Sequence, residues 1–144
     1  MDSLSASTIV MILAGVLVTV FILVVVFYKP PRQLKVNSNY KSGSGDNNSL
    51  LELEIINVGK TREKIMPPYL KFSSGFSTKK YQVGKESVNC KYPRVIKPGE
   101  RMVCEIDLSQ YQKSLEKDDF KATHLVVVVD DMVGMEFKSE SLEV

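Results

Sequence analysis

The sequence has no tryptophan, one histidine and two cysteines among its 144 residues. Two cysteines are too few for a disulfide scaffold, and also for a structural zinc site, which needs four ligands. A strong positive charge is lacking too, since 19 Lys and Arg are balanced by 17 Asp and Glu. A nucleic-acid surface needs clustered basic residues and a positive excess. We therefore expect no nucleic-acid partner.

A catalytic constellation is also missing from the sequence. His124 opens an apolar segment, with no second histidine and no serine or cysteine in a nucleophile motif. Residues 58–61 (VGKT) are similar to the end of a phosphate-binding loop, but that motif requires glycine where Glu54 stands. Asp130 and Asp131 lack the spaced oxygen ligands of a calcium loop, so a hairpin turn is the better interpretation. The sequence predicts a protein that is not an enzyme and binds no cofactor or metal.

One long hydrophobic run dominates the N-terminal part of the chain. From Ile9 to Tyr28, twenty residues carry no charge, and as a helix they would span roughly 30 Å, the thickness of a bilayer core. The run is apolar all round, whereas a helix of a soluble protein should be amphipathic. A secretory signal peptide would begin with basic residues and end in small ones, and neither feature is present. The run therefore predicts a permanent single-pass anchor from Ile9 to Tyr28.

The ends of this anchor follow from its flanking residues. Ser7 and Thr8 offer oxygens for N-capping, and Pro30 and Pro31 stop the helix because they cannot donate a backbone hydrogen bond. We expect two regions: an anchor helix with its flank over residues 1–32, and a separate domain over residues 33–144.

The remainder of the chain has the pattern of short β-strands. Residues 50–56 and 101–108 alternate between apolar and polar side chains, and residues 123–130 form a continuous β-branched run typical of a central strand. Residues 37–48 read as a polar loop, and residues 135–144 as the closing strand. Only Ser109 to Lys117 suggests a helical turn. About seven strands at intervals near ten residues predict a mainly β domain, an antiparallel β-sandwich of immunoglobulin-like type.

Cys90 and Cys104 flank the Pro-Gly turn of residues 97–100. If residues 88–96 and 101–108 form a hairpin, the two Cβ atoms could meet and a disulfide could close the loop. Two reduced, buried cysteines are the alternative. A disulfide would require an oxidising side of the membrane or a hyperthermophilic source.

The side of the membrane is indicated by conflicting features. Lys29, Arg32 and Lys35 follow the helix, and basic residues there favour a cytoplasmic domain. The cysteine pair favours an oxidising space, and Asn47 begins a glycosylation sequon, Asn-Asn-Ser. We favour a cell-membrane protein with an extracytoplasmic sandwich.

The segments LLELEIINVG, IKPGERMVCEIDL and HLVVVVDDMVGMEF, placed after an N-terminal hydrophobic helix, form a familiar pattern. This pattern resembles the archaellin-type fold, and most of all the archaellum accessory proteins called the F and G components. The resemblance implies a helix kept as a membrane anchor. It also implies a sandwich face that binds the surface layer, or a second copy of the chain to form a homo-oligomer.

Three functions remain open at this point. The first is a non-enzymatic anchored sandwich that binds a filament, motor or surface-layer partner. The second is a small accessory subunit of a larger respiratory or transport complex, in which the helix packs against other helices. The third is a filament subunit of pilin or archaellin type. The third is disfavoured because the basic residue and glycine of a prepilin processing site are missing before the run.

Overall fold

The computed structural model describes residues 5–28, 33–41 and 49–144. It divides into two compact units, Met1–Pro31 and Arg32–Val144. In the first unit, helix α1 spans Ala6–Phe27. Ser5 caps it and accepts a hydrogen bond from the backbone of Thr8, so the cap lies earlier than Ser7 and Thr8, which the sequence suggested.

The described residues of the second unit form ten strands and one helix. In chain order they are β1 (Leu34–Tyr40), β2 (Leu50–Asn57), β3 (Glu63–Ile65), β4 (Tyr69–Ser74), β5 (Ser77–Gln82), β6 (Arg94–Ile96), β7 (Arg101–Asp107), α2 (Ser109–Lys117), β8 (His124–Asp130), β9 (Glu136–Lys138) and β10 (Leu142–Glu143).

These strands form an antiparallel β-sandwich, as the sequence predicted. One sheet has the order β1-β2-β7. The facing sheet has the order β5-β4-β8, with β9 and β10 following each other along the outer edge of β8. A small third sheet pairs β3 with β6. The helix α2 lies where the sequence placed it, and it buries Tyr111 and Leu115.

The core is formed by the residues that the alternation assigned to the inward faces. All of them are at most 2% exposed: Leu51, Leu53, Ile55, Met102, Cys104, Ile106, Leu125, Val127 and Val129. Their polar neighbours Glu52, Glu54 and Glu105 stay partly exposed. The continuous apolar run in β8 was expected to be a central strand, and it is. Val128, on the face of β8 that points away from the core cluster, is also fully buried.

The first strand extends further than the sequence indicated. Asn37 to Tyr40 were expected to begin a loop, but they continue β1 and pair with Glu54 to Leu51 of β2. Ser38 is buried, and the amide of Asn37 donates to the Glu54 carboxylate at 2.9 Å. Pairing with β2 therefore outweighs the polar composition of this stretch.

The possible hairpin of residues 88–96 and 101–108 forms only in its first part. β6 pairs with β3, and only residues near Val88 run beside β7, where Val88 bridges to Ile106. The closing strand is also interrupted. Ser139 lies between β9 and β10. Its hydroxyl, and not a backbone carbonyl, accepts the hydrogen bond from the Val127 backbone N–H, so the pairing with β8 shifts there as in a β-bulge.

Candidate functional site

Helix α1 presents an apolar surface on every side. The helix has 22 residues and is long and apolar enough to cross a membrane, and none of its residues is buried. Ile9 is 47% exposed, and Tyr28, 68% exposed, follows the last helical residue. The one hydroxyl in the middle of the helix, on Thr19, donates to the Gly15 carbonyl at 2.8 Å, which satisfies it within the helix.

The structure brings the two cysteines together. Cys90 and Cys104 are joined by a disulfide with a Cα–Cα distance of 5.7 Å, although only the first part of the possible hairpin, near Val88, pairs with β7. The segment before β6 achieves this instead, because the Asn89 side chain accepts from the Glu105 backbone at 2.8 Å. Cys104 is fully buried and Cys90 is partly exposed. The formation of this bond in cells remains a prediction.

A cleft lies beside this disulfide. Its apolar lining includes Pro67, Val83 and Val88, and Lys85 and Lys91 stand at its rim. The Tyr92 hydroxyl points into the protein and lies 3.4 Å from the Cys104 sulfur. Burial raises the pKa of Tyr92 to about 12, so this phenol stays neutral and contributes no charge to the cleft.

The outer face of the five-stranded sheet is basic. We call it the lysine face, and it consists of Tyr69, Lys71, Lys80, Glu136 and Lys138. Lys71 and Lys80 are direct cross-strand partners, an arrangement that like charges disfavour. Among the described residues neither of these two lysines forms a salt bridge, and Lys80 instead lies over the Tyr69 ring at 5.4 Å.

A hydrogen bond organises the charges on this face. The Tyr69 hydroxyl donates to the Glu136 carboxylate at 2.7 Å. This bond lowers the pKa of Glu136, and the nearby lysines lower it further. Burial, followed by the hydrogen bond to Glu136, raises the pKa of Tyr69. Glu136 is therefore held as an anion by Tyr69. Asp130 lies directly opposite Glu136 on the neighbouring strand, so two carboxylates lie beside three lysines.

A second exposed surface is apolar. We call it the apolar tip, and it consists of Met66, Met132, Val133 and Met135, which are 38%, 68%, 88% and 40% exposed. The last three lie in the turn between β8 and β9, and Met66 donates its backbone N–H to the Asp130 carbonyl beside them.

The buried Asp131 fixes the backbone of this turn. One carboxylate oxygen accepts from the backbone N–H groups of Val133 at 3.0 Å and Met135 at 2.8 Å. Gly134 takes a positive φ of 83°, which allows the chain to reverse. The expected turn at Asp130 and Asp131 is thus present, and it holds apolar side chains outward.

The other residues singled out in the sequence have structural environments. His124 is exposed at the start of β8, where its ring nitrogen lies 2.9 Å from the Thr123 hydroxyl. Residues 58–61 form a turn held by the side chain of Asn57 and not a phosphate loop. Asn47 lies outside the described residues. Within the described ranges, no group of three His, Cys, Asp or Glu residues could hold a metal ion.

The sequence interpretation missed both exposed surfaces. The signal for the apolar tip was available, because Met132, Val133 and Met135 interrupt an otherwise polar glycine turn. The lysine face had no such signal, because strand β5 (STKKYQ) has no apolar alternation and was not expected as a strand.

These features define a protein with one apolar N-terminal helix and a small antiparallel sandwich. No family model matches the sequence, and no curated protein matches it. The structure is similar to a chain of the archaellum periplasmic stator protein complex FlaF and FlaG from Sulfolobus acidocaldarius. The TM-score is 0.51 and the identity 13%, over 80% of this chain and 92% of that one.

The archaellum periplasmic stator protein FlaG from Sulfolobus acidocaldarius also aligns, with a TM-score of 0.44 and 13% identity, over 76% of this chain and 99% of that chain. The similarity to the chain of the complex confirms the immunoglobulin-like sandwich and the resemblance of the fold to archaellum accessory proteins. At this identity the likeness concerns the fold.

Proposed function

We propose that this chain is a non-enzymatic structural protein of the cell membrane, in which residues 1–32 anchor and residues 33–144 bind a filament, motor or surface-layer partner. The observation that carries this proposal is the similarity of its fold to a chain of an archaellum periplasmic stator complex over 80% of its length. By this analogy the protein has a stator-like or accessory role. It connects a moving or filamentous assembly to the membrane.

The anchor rests on the properties of α1. A helix of 22 residues is about 33 Å long, which matches the hydrocarbon core of a bilayer. None of its apolar side chains is buried within the protein, so contact with water would cost free energy that a lipid environment removes.

The extracytoplasmic side is supported by two observations. Cys90 and Cys104 have the Cα–Cα distance of a disulfide, which persists in oxidising spaces. The similar chain belongs to a complex described as periplasmic. The basic residues Lys29, Arg32 and Lys35 favour the opposite side, and thiol labelling in intact cells distinguishes the two topologies.

The lysine face is the surface that we assign to the partner. Lys71 and Lys80 repel each other across two strands, and an acidic surface placed over them would remove that cost. Glu136 is hydrogen-bonded to Tyr69, so it is not free to pair closely with both lysines. The proposed partner therefore presents carboxylates to this sheet.

The test is co-purification of the full chain from its own membranes after mild detergent extraction. We expect a filament, motor or surface-layer protein to be recovered with the wild type. The variant Lys71→Glu with Lys80→Glu should lose that protein. Lys121→Glu, which changes an exposed lysine in the connection between α2 and β8, is the matched control and should retain it.

Three results would contradict the proposal. Recovery of respiratory or transport enzyme subunits would favour the accessory-subunit alternative. Equal recovery with the charge-reversed pair and the control would remove the lysine face from the interaction. A chain found in the soluble fraction without detergent would contradict the anchor.

A further inference from the structure

The apolar tip combines high exposure with a rigid base. Val133 and Met132 are the most exposed apolar side chains in it, at 88% and 68%. Asp131, which is only 3% exposed, holds the turn by accepting two backbone hydrogen bonds. Apolar side chains held outward in this way mark a contact surface, since burying them would be favourable.

The tip lies at the end of the sandwich where the chain enters the domain. Gln33, immediately before β1, accepts hydrogen bonds through its carbonyl from the backbone N–H groups of Val58 and Gly59, just after β2. At the same end Asn57 donates to the Ile96 carbonyl of β6, and β6 pairs with β3. Ile65 of β3 bridges to Asp131, the first residue of the turn that carries the tip.

Covalent geometry limits how far this end can be from the bilayer. Only residues 29–32 separate Tyr28, the last described residue of the anchor unit, from Gln33. Five extended residue steps cover at most about 18 Å, whatever path the chain takes. If α1 spans the membrane as proposed, the entry end of the sandwich is tethered within that distance of the membrane surface.

Basic side chains accompany the tip in the connection that leads to it. Lys60, Arg62 and Lys64 are all exposed, and Glu63 among them accepts a hydrogen bond from Thr61 at 3.0 Å. Three positive charges and one negative charge leave this segment with a net charge of +2. Anionic headgroups attract such a segment, and apolar side chains beside it can enter the interfacial layer.

We propose that the apolar tip inserts into the interface of the bilayer that holds α1, with Lys60, Arg62 and Lys64 against anionic headgroups. The inference rests on the proposed membrane anchor and goes beyond it. A membrane-spanning helix is one contact with the bilayer and does not by itself fix the tilt of the sandwich. A second contact with the bilayer restricts that tilt and presents the lysine face in a restricted orientation.

The absence of tryptophan from the sequence provides a direct test. The full chain carrying Val133→Trp is reconstituted into vesicles of phosphatidylcholine and phosphatidylglycerol, with and without bromine on the acyl chains. Phe76→Trp is the matched control, because Phe76 is fully exposed in the β4–β5 turn, at the opposite end of the same sheet. Flotation of the vesicles shows independently whether the chain is anchored.

We expect the Val133→Trp emission to shift to shorter wavelength and to be quenched by the brominated lipids, while Phe76→Trp stays solvent-exposed and unquenched. Lys60→Glu with Arg62→Glu should reduce the quenching of the Val133→Trp signal. Equal, unquenched emission from both tryptophans would overturn the proposal. A shift to shorter wavelength without quenching would also overturn it, because the tip would then be buried against a second copy or another protein. Failure to float with the vesicles would overturn the anchor, and this inference with it.

Discussion

The side-chain amide of Asn57 donates a hydrogen bond to the main-chain carbonyl of Ile96 at 2.9 Å, and both residues are completely buried. The same side chain donates to the Thr61 carbonyl at 2.8 Å and accepts from the Gly59 backbone at 2.9 Å. This residue at the end of β2 thus connects the turn of residues 58–61 with β6. It fixes the end of the sandwich that carries Gln33.

Replacing this residue should be costly. Asn57→Ala removes the side-chain donor from the Ile96 and Thr61 carbonyls, while the Gly59 N–H keeps its hydrogen bond to the Gln33 carbonyl. We expect the free energy of unfolding to fall by roughly 2–4 kcal/mol. Chemical denaturation of the full chain in detergent measures this loss. Asn39→Ala, at an exposed position of β1, is the control and should change stability by less than about 0.5 kcal/mol. Equal effects would mean that the Asn57 bonds contribute little.

The disulfide should stabilise the domain mainly by restricting the unfolded chain. The two cysteines are 14 residues apart, and a loop of this size contributes on the order of 3 kcal/mol. We expect a reductant to lower the unfolding midpoint of the wild type. The midpoint of the double variant, Cys90→Ala combined with Cys104→Ala, should not change. A wild type indifferent to reductant would show that the bond is absent.

Labelling of the same cysteines reports the side of the membrane. In intact cells with an extracytoplasmic sandwich, a membrane-impermeant thiol reagent should label the protein only after reduction. A variant with one added, exposed cysteine, Lys121→Cys, is the positive control and should be labelled directly. Free thiols that react only after lysis and unfolding would place the domain in the cytoplasm. The mature mass is a second measurement, because a glycan on Asn47 would raise it.

The two faces of β2 should differ in their sensitivity to substitution. Leu53 is completely buried, and Leu53→Ala should cost about 2–4 kcal/mol because it removes packed methyl groups and leaves a cavity. Its neighbour Glu52 points outward, and Glu52→Ala should cost less than about 0.5 kcal/mol. Thermal unfolding of both variants gives the comparison, and similar losses would contradict the register.

The Tyr69–Glu136 pair should make stability depend on pH in the acid range. The hydrogen bond from Tyr69 lowers the pKa of Glu136 in the folded protein. Its contribution is therefore fully present above the ordinary glutamate pKa of about 4.3 and is lost as pH falls through the lowered value. We expect Tyr69→Phe to raise the Glu136 pKa, measured by carbon NMR of the carboxylates. An unchanged titration would show that the lysines hold the anion.

Asp130 should affect the pH dependence of stability in the opposite direction to Glu136. Its pKa is raised, first by burial and then by the nearby charges of Glu136 and Asp131. The stability associated with its protonated form is therefore present at low pH and is lost as pH rises through the raised pKa. Asp130→Asn removes this contribution. The variant should then lose stability more steeply on acidification than the wild type does.

The sequence by itself determined the elements whose patterns are local. Twenty uncharged residues determine a membrane-compatible helix, because no amphipathic alternative exists for them. Alternation in residues 50–56 and 101–108 determines which side chains enter the core, because successive residues of a strand point to opposite faces. The β-branched run of β8 indicates a central strand, and Val128 is buried accordingly.

Only the tertiary structure decided the elements that depend on distant partners. β6 pairs with β3 and not with β7, and β5 forms at an edge with lysines where apolar residues are not required. Asn37 to Tyr40 become a strand because β2 offers unpaired backbone groups beside them. Cys90 and Cys104 meet because residues near Val88 pair with β7, although β6 after them pairs with β3. Hydrogen bonding between strands is set by backbone groups that are the same in every residue, so the choice of partner is fixed by packing of the whole domain and not by local composition.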